Sequence, residues 1–221
     1  ILINFAFSST QVDNSIMDTV KIWNSTPSRQ QADEIADALR RGEIVILPTD
    51  SVYAITCDAL NSKAIASLCR IKGINPEKNN LSIICRDISM AAEYAHIDDR
   101  AYRIIKEYTP GPYTFLLRSG RNLPKAFKGR KTVGVRIPDN QTSLMTADAL
   151  GNPLLATSIQ FDNADEAREP ELMAERYASL NVGLIADAEP GGQEYSTIIG
   201  LTDSAAPQLM RQGKGEFHLA D

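Results

Sequence analysis

Two β-rich runs separated by only four residues set the first constraint on the fold. Glu43-Ile44-Val45-Ile46-Leu47 ends at Pro48, and Val52 to Cys57 resumes after Thr49-Asp50-Ser51. A parallel crossover needs about a dozen residues or more, so a link this short excludes one. The sheet is therefore expected to be mixed rather than purely parallel.

Helical patterns alternate with these runs. Ser28-Arg29-Gln30-Gln31 has the capping-box form, and Ala32, Ile35, Ala36 and Leu39 follow at helical spacing until Gly42. Asn61 caps a helix through Lys72, with Ala64, Ile65 and Leu68 on one face. Further helices are expected around Ser89 to Tyr94, Asp98 to Tyr108, Thr142 to Leu150 and Glu171 to Tyr177. Strands are expected at Leu81 to Cys85, Tyr113 to Leu117, Thr132 to Ile137, Leu154 to Ser158, Val182 to Ala186, Ser196 to Leu201 and Gln208 to Arg211. No composition break or repeat interrupts the series. The reading is one α/β domain with a twisted, open, mixed sheet. It places an N-terminal extension, loosely packed, over 1–27, the domain over 28–216 and a tail over 217–221.

A chain of 221 residues, 43% of them hydrophobic, buries roughly 70% of its unfolded surface and needs no staples. Cys57, Cys69 and Cys85 are odd in number, with no Cys-x-x-Cys pair. That pattern suits a reducing cytoplasm and argues against a zinc site or a secreted scaffold. No apolar run approaches the ~18 residues of a membrane span, and Ile1 to Phe7 lacks the basic flank of a signal peptide.

The formal charge of −5 is unevenly distributed. Seven basic residues, Arg118, Arg121, Lys125, Lys128, Arg130, Lys131 and Arg136, occupy one stretch with no acid, leaving 16 basic against 28 acidic residues elsewhere. Such a stripe is the footprint of a polyanion site such as RNA, or else a solvated loop with its counter-charges elsewhere in the fold.

The chain contains no Walker A loop, no G-x-G-x-x-G, no G-x-S-x-G and no H-E-x-x-H. Only His96 and His218 offer imidazole chemistry. His96 reads as a helix-boundary residue and His218 lies in the tail. Any catalysis then rests on positioned cations, hydroxyls and backbone amides, with or without a metal.

Six segments in order resemble the motif series of the YrdC family: Leu47-Pro48-Thr49-Asp50-Ser51-Val52-Tyr53, Arg70-Ile71-Lys72-Gly73, Thr109-Pro110-Gly111-Pro112-Tyr113-Thr114, Val133-Gly134-Val135-Arg136-Ile137-Pro138, Ala156-Thr157-Ser158 and Ser196-Thr197-Ile198-Ile199. The resemblance runs from about residue 28 to 216. It implies a YrdC-like open sheet around a large, concave, positively charged cavity. The implied activity is threonylcarbamoyl-AMP synthesis from L-threonine, bicarbonate and ATP, with Mg²⁺, in the N6-threonylcarbamoyl modification of tRNA adenosine 37. No tightly bound organic cofactor and no protein metal ligands are implied. The alternative is a non-catalytic double-stranded RNA or tRNA binder.

In that chemistry a carbamate carboxylate attacks the α-phosphorus and pyrophosphate leaves. Positioned cations and Mg²⁺ lower the barrier, and no histidine is needed. The resemblance implies that Lys72 faces the triphosphate, with Ser158 beside it as a catalytic position. Asn79, Thr114, Ser158, Gln160 and Arg211 match nucleotide positions. Thr49, Tyr53, Arg118 and Ser196 match the threonine end. Each has a plainer reading: Lys72 as a complement to the helix dipole, Thr49 and Ser51 as turn hydroxyls, Tyr53 as a core ring with its hydroxyl at the edge, Arg136 as a strand residue paired with an acid, and Pro110-Gly111-Pro112 as a rigid turn.

Two departures are evident. The family's Lys-x-Arg pair reads Lys72-Gly73-Ile74, and an aliphatic side chain cannot form bidentate bonds to phosphate. The Ser-x-Asn motif reads Ser158-Ile159-Gln160, followed by Phe161. Both changes, and the segment Asn80-Leu81-Ser82-Ile83-Ile84-Cys85-Arg86-Asp87, resemble the YciO branch. They lower the expected synthase turnover.

Overall fold

A computed structural model describes residues 17–75, 81–123, 127, 129–159 and 168–218. Asn79, Gln160, Phe161, Lys125 and Lys128, and residues 1–16 of the extension expected over 1–27, lie outside the described residues.

In chain order the elements are β1 Asp18–Lys21, α1 Arg29–Arg40, β2 Val45–Leu47, β3 Ala54–Asp58, α2 Ser62–Lys72, β4 Ser82–Ile84, α3 Ile88–Tyr94, β5 Ala95–His96, α4 Asp99–Tyr108, β6 Tyr113–Ser119, β7 Thr132–Arg136, α5 Gln141–Leu150, β8 Leu154–Ser158, α6 Pro170–Ala178, β9 Leu184–Asp187, β10 Thr197–Gly200 and β11 Gln208–Arg211. All strands join one mixed sheet in the order β1-β9-β2-β3-β8-β4-β7-β6-β10-β11, with β5 beside β6. As the short link requires, β2 and β3 pair antiparallel.

The helix signals act as read. Ser28 accepts from the Gln31 amide, the Gln31 side chain answers the Ser28 amide, and Asn61 accepts from the Lys63 and Ala64 amides. Two short strands escape the pattern. β1 pairs parallel with β9, so the sheet begins ten residues ahead of Ser28, and β5 is only two residues long, with His96 opposite Arg118. Neither is long enough for alternation to show.

Strand alternation divides the core between the two sheet faces. Ile55, Ile83, Leu155, Val135 and Phe115 point to one face and join Ile65 and Leu68 of α2. Ala54, Ala156, Val45 and Leu47 point to the other, under Ile35, Ala36 and Leu39 of α1 and Ala147 of α5. On this second face α1 and α5 pack on each other and reach β2, β3, β4 and β9. Around β7, β6, β10 and β11 the same face opens into a recess.

Candidate functional site

The recess has a cavity volume of 520 Å³. Its floor is built from small side chains in register across four strands: Ala54 faces Ser158, Ala156 faces Ser82, and Ser82 faces Gly134. Gly134 has no room for a side chain, because a Cβ there would lie 2.5 Å from Ser82 Oγ and 3.2 Å from Thr114 Cγ2. A glycine inside a strand weakens it and marks a close approach; here it hollows the sheet.

The walls are polar. The Thr114 and Ser196 hydroxyls share a hydrogen bond of 2.8 Å, and Arg211 Nη2 donates to the Ser196 carbonyl at 2.7 Å. The Arg211 guanidinium also lies 5.4 Å from the Tyr195 ring, a cation–π distance. Arg136 lines the recess too, donating from Nη2 to Asp50 Oδ1 at 2.8 Å and to Ser51 Oγ at 3.0 Å. Among the described residues, two arginines and five hydroxyl residues (Ser82, Thr114, Thr157, Ser158, Ser196) therefore line one hollow, and no carboxylate does.

Lys72 arrives from the opposite layer. Its Nζ, at the end of α2, donates to the Ser158 carbonyl at 2.7 Å, so the lysine is tied to the strand end that borders the recess without lining it. Burial, aided by the Arg176 charge, pulls its amine down to about 8. Gly73 follows in the left-handed conformation at φ 62°, and Ile74 then packs half-buried against the core. The residue standing in place of the motif arginine thus points toward apolar side chains.

Thr49 and Tyr53 line a second recess of 390 Å³, together with Asp50, Ser51, Asp139, Glu189 and Lys214. Thr49 Oγ1 donates to the Val52 carbonyl at 2.7 Å and accepts from the Ser51 amide, making a local hydroxyl turn. The Tyr53 ring is buried, and its hydroxyl donates to the Glu189 carbonyl at 2.9 Å; burial raises that hydroxyl's pKa. Ser143 Oγ fixes the entry to this loop by donating to the Pro48 carbonyl at 2.6 Å. The Asp50–Arg136 pair stands between the two recesses, with both side chains 7% exposed. Burial raises the Asp50 carboxyl, against the opposing pull of Arg136 and the Asp139 amide.

The sequence-derived positions therefore divide. Thr114, Ser158, Ser196 and Arg211 meet in the larger recess, Lys72 touches its rim through Ser158, and Thr49 and Tyr53 sit in the neighbouring one. Arg118 is apart from both. It lies four residues along β6 from Thr114, roughly 13 Å at strand spacing, with Nε donating to the Thr202 carbonyl in a small recess beside His96 and Asp98.

Of the described basic residues of the stripe, Arg118, Arg121, Arg130 and Lys131 lie toward one end of β6 and β7, and Arg136 lies apart from them. Arg121 and Lys131 are exposed, Arg130 is half-buried near Cys69, and Arg136 is buried against Asp50 at the other end of β7. The expectation that Arg136 belongs to an exposed polyanion stripe is corrected by that burial, and its reading as a strand residue paired with an acid holds. Ser82 and Gly134 were not among the expected site residues. Their signal was the intrusion of a serine and a glycine into otherwise apolar strands, legible as cavity-forming only once strand order is known.

The Sua5/YciO/YrdC family profile, described as telomere recombination, matches residues 37–213. The YciO protein of Escherichia coli K12 is 33% identical over 198 residues, covering 88% of this chain and 95% of that protein. The crystal structure of E. coli YciO aligns with a TM-score of 0.82 at 32% identity, over 90% of this chain and 97% of the other. A threonylcarbamoyl-AMP synthase of Vibrio vulnificus is 28% identical over 185 residues, 81% of this chain and 97% of its own length. P. abyssi Sua5 complexed with L-threonine aligns with a TM-score of 0.78 at 26% identity, over 88% of this chain but 57% of Sua5. Among the described residues no helix is long and apolar enough to cross a membrane. With the open sheet in agreement with the structural likeness, the chain belongs to the Sua5/YciO/YrdC family, in its YciO branch.

Proposed function

We propose that the 520 Å³ recess receives a nucleoside triphosphate and that the protein carries out threonylcarbamoyl-AMP synthesis or a close variant of it. The observation behind this reading is that Thr114, Ser158, Ser196 and Arg211, from separate segments, share one hollow free of carboxylates among the described residues. A polyphosphate is the substrate class such a lining suits. The synthase relative from Vibrio vulnificus and the L-threonine held by P. abyssi Sua5 support the amino-acid half of the reading.

In the proposed reaction L-threonine and bicarbonate condense to a carbamate with loss of water. A carbamate oxygen then forms a bond to the α-phosphorus of ATP as the bond to the pyrophosphate oxygen breaks. Arg211 would neutralise charge on the nucleotide, the hydroxyls would orient its oxygens, and Lys72, anchored on the Ser158 carbonyl, would sit where the departing phosphates gather charge. Among the described residues no cluster of three or more His, Cys, Asp or Glu side chains is present to hold a metal. Mg²⁺ fits here as an ion carried by the triphosphate, where it would supply charge neutralisation.

The RNA-binding alternative draws on a different region: Arg118, Arg121, Arg130 and Lys131 gather at the end of β6 and β7 remote from the recess, and only Arg136 of the described basic residues of the stripe lines it. The test is pyrophosphate release from ATP, L-threonine, bicarbonate and Mg²⁺. Release is expected to fall in Lys72→Ala and to persist in Arg118→Ala. Absence of release above the Lys72→Ala level refutes the synthase reading. A large gain in Ile74→Arg would mark a site depleted of its phosphate fork rather than one suited to another acceptor.

A further inference from the structure

The smaller recess, of 390 Å³, is lined by Thr49 and Tyr53, yet the hydroxyls of both are spent within the protein. Thr49 Oγ1 donates to the Val52 carbonyl, and the Tyr53 hydroxyl donates to the Glu189 carbonyl while accepting from the Ala188 amide. A ligand there must be read by other groups. The ionisable side chains on its described lining, apart from Tyr53, are Asp50, Asp139, Glu189 and Lys214. Lys214 is therefore the single cation of that lining, set among three carboxylates.

Lys214 is carried there by the segment that follows β11, which is anchored on both sides of it. The Gly213 amide donates to Thr197 Oγ1, which in turn donates to the Gly215 carbonyl, and the Tyr113 hydroxyl donates to the Glu216 carbonyl at 2.7 Å. Gly215 lies against the Tyr113 ring, where a Cβ would overlap it. The exposed Lys214 side chain makes one bond among the described residues, from Nζ to the Asp50 carbonyl at 2.6 Å. The loop it touches is already fixed by Ser143 on the Pro48 carbonyl and by Arg136 on the Asp50 carboxylate. What Lys214 alone supplies is positive charge. An ammonium has three N–H donors, so two remain for a ligand. The Ser25 hydroxyl, on the same lining, is buried with no hydrogen-bond partner among the described residues.

The signs of these charges select the ligand. A polyphosphate would meet three carboxylates, and a simple cation would meet Lys214, whereas a zwitterion satisfies both signs. We infer that Lys214 is a specificity-determining residue of the smaller recess, where its ammonium binds the carboxylate of an α-amino acid whose own ammonium faces the exposed Asp139 and Glu189 side chains. The inference rests on the proposed function only for the choice of L-threonine as that amino acid. It also supplies a substrate cation to a chain in which Ile74, packed against the core, stands in place of the motif arginine.

Titration calorimetry on the whole chain tests this by comparing L-threonine with L-threoninol, which keeps the amine and the side chain and replaces the carboxylate by an alcohol. The native protein is expected to bind L-threonine about five- to tenfold more tightly, the scale of one charge-assisted hydrogen bond at an exposed group. Lys214→Met is expected to erase that preference by weakening L-threonine alone, and Lys214→Arg to restore most of it. The inference is overturned if Lys214→Met, shown to melt as the native protein does, keeps the preference or weakens both compounds equally. It is also overturned if the native protein binds neither compound or binds the two alike.

Pyrophosphate release separates this inference from the proposed function. Lys214→Met is expected to raise the KM for L-threonine and leave the KM for ATP unchanged. A preference erased by Lys214→Met in a protein that releases no pyrophosphate would refute the proposed function and leave this inference standing. Release with an unaltered KM for L-threonine in Lys214→Met would do the reverse.

Discussion

Gly134→Ala places one methyl group at the tightest point of the cavity floor. That carbon would sit 2.5 Å from Ser82 Oγ, and 3.2 Å from both Ser82 Cβ and Thr114 Cγ2. Comfortable carbon contacts begin near about 3.5 Å. The Ser82 hydroxyl can rotate, but its Cβ is fixed by β4, which pairs on both edges, with β7 and β8. Overpacking of this kind costs about 1–3 kcal/mol. Against it stands the lower unfolded-state entropy of alanine, worth about 0.4–1 kcal/mol where the backbone tolerates a side chain, and Gly134 is not among the residues of positive φ. The clash wins, leaving a net loss of about 1–2 kcal/mol and a melting temperature lower by roughly 2–8 °C for a domain of this size. Scanning calorimetry measures it directly. Ser82→Ala removes the 2.5 Å contact, so the double variant is expected to recover most of the loss, with a coupling above about 0.5 kcal/mol. A Gly134→Ala protein as stable as the native one, or a strictly additive cycle, would refute the account of the floor.

Two other outcomes are expected. Because the folded Lys72 amine is drawn down to about 8 from its ordinary 10.5, the unfolded chain binds more protons between those values, and stability contributed by this residue rises with pH across that window. Lys72→Met should flatten the rise in urea titrations at pH 8 and 10, and equal slopes in the two proteins would contradict it. Ser143→Ala leaves the buried Pro48 carbonyl without the 2.6 Å bond it now accepts, at a cost of about 1–3 kcal/mol. A shift in denaturant midpoint equivalent to less than about 0.5 kcal/mol would show that the loop entry does not depend on this hydroxyl.

Much of the fold was legible because its signals are local. The capping box at Ser28, the Asn61 cap, and the close spacing of β2 and β3 each act within a few residues, and each shows up in the structure as read. β1 was missed because four residues with one buried side chain carry no period; the strand exists because β9 offers it a parallel edge. The candidate site was legible in part. Thr114, Ser158, Ser196 and Arg211 were picked out by their motifs and lie together, whereas Arg118 shares a strand with Thr114 but is held at the other end by Thr202. Position in a motif does not encode which end of a strand meets a recess.

Arg136 shows the same limit from the opposite side. Among neighbouring cations in the sequence it resembles a member of a basic stripe, yet β7 carries it inward to Asp50 while the loop before that strand leaves Arg121 and Lys131 in water. The sequence alone determined the helices, the mixed sheet and the family, because caps, turns and alternating side chains act between near neighbours. Tertiary structure alone decided where the recess opens, which cations face it and which are tied elsewhere. Those outcomes depend on strand order and on how far α1 and α5 extend across the sheet, and both are set by contacts between residues many tens of positions apart.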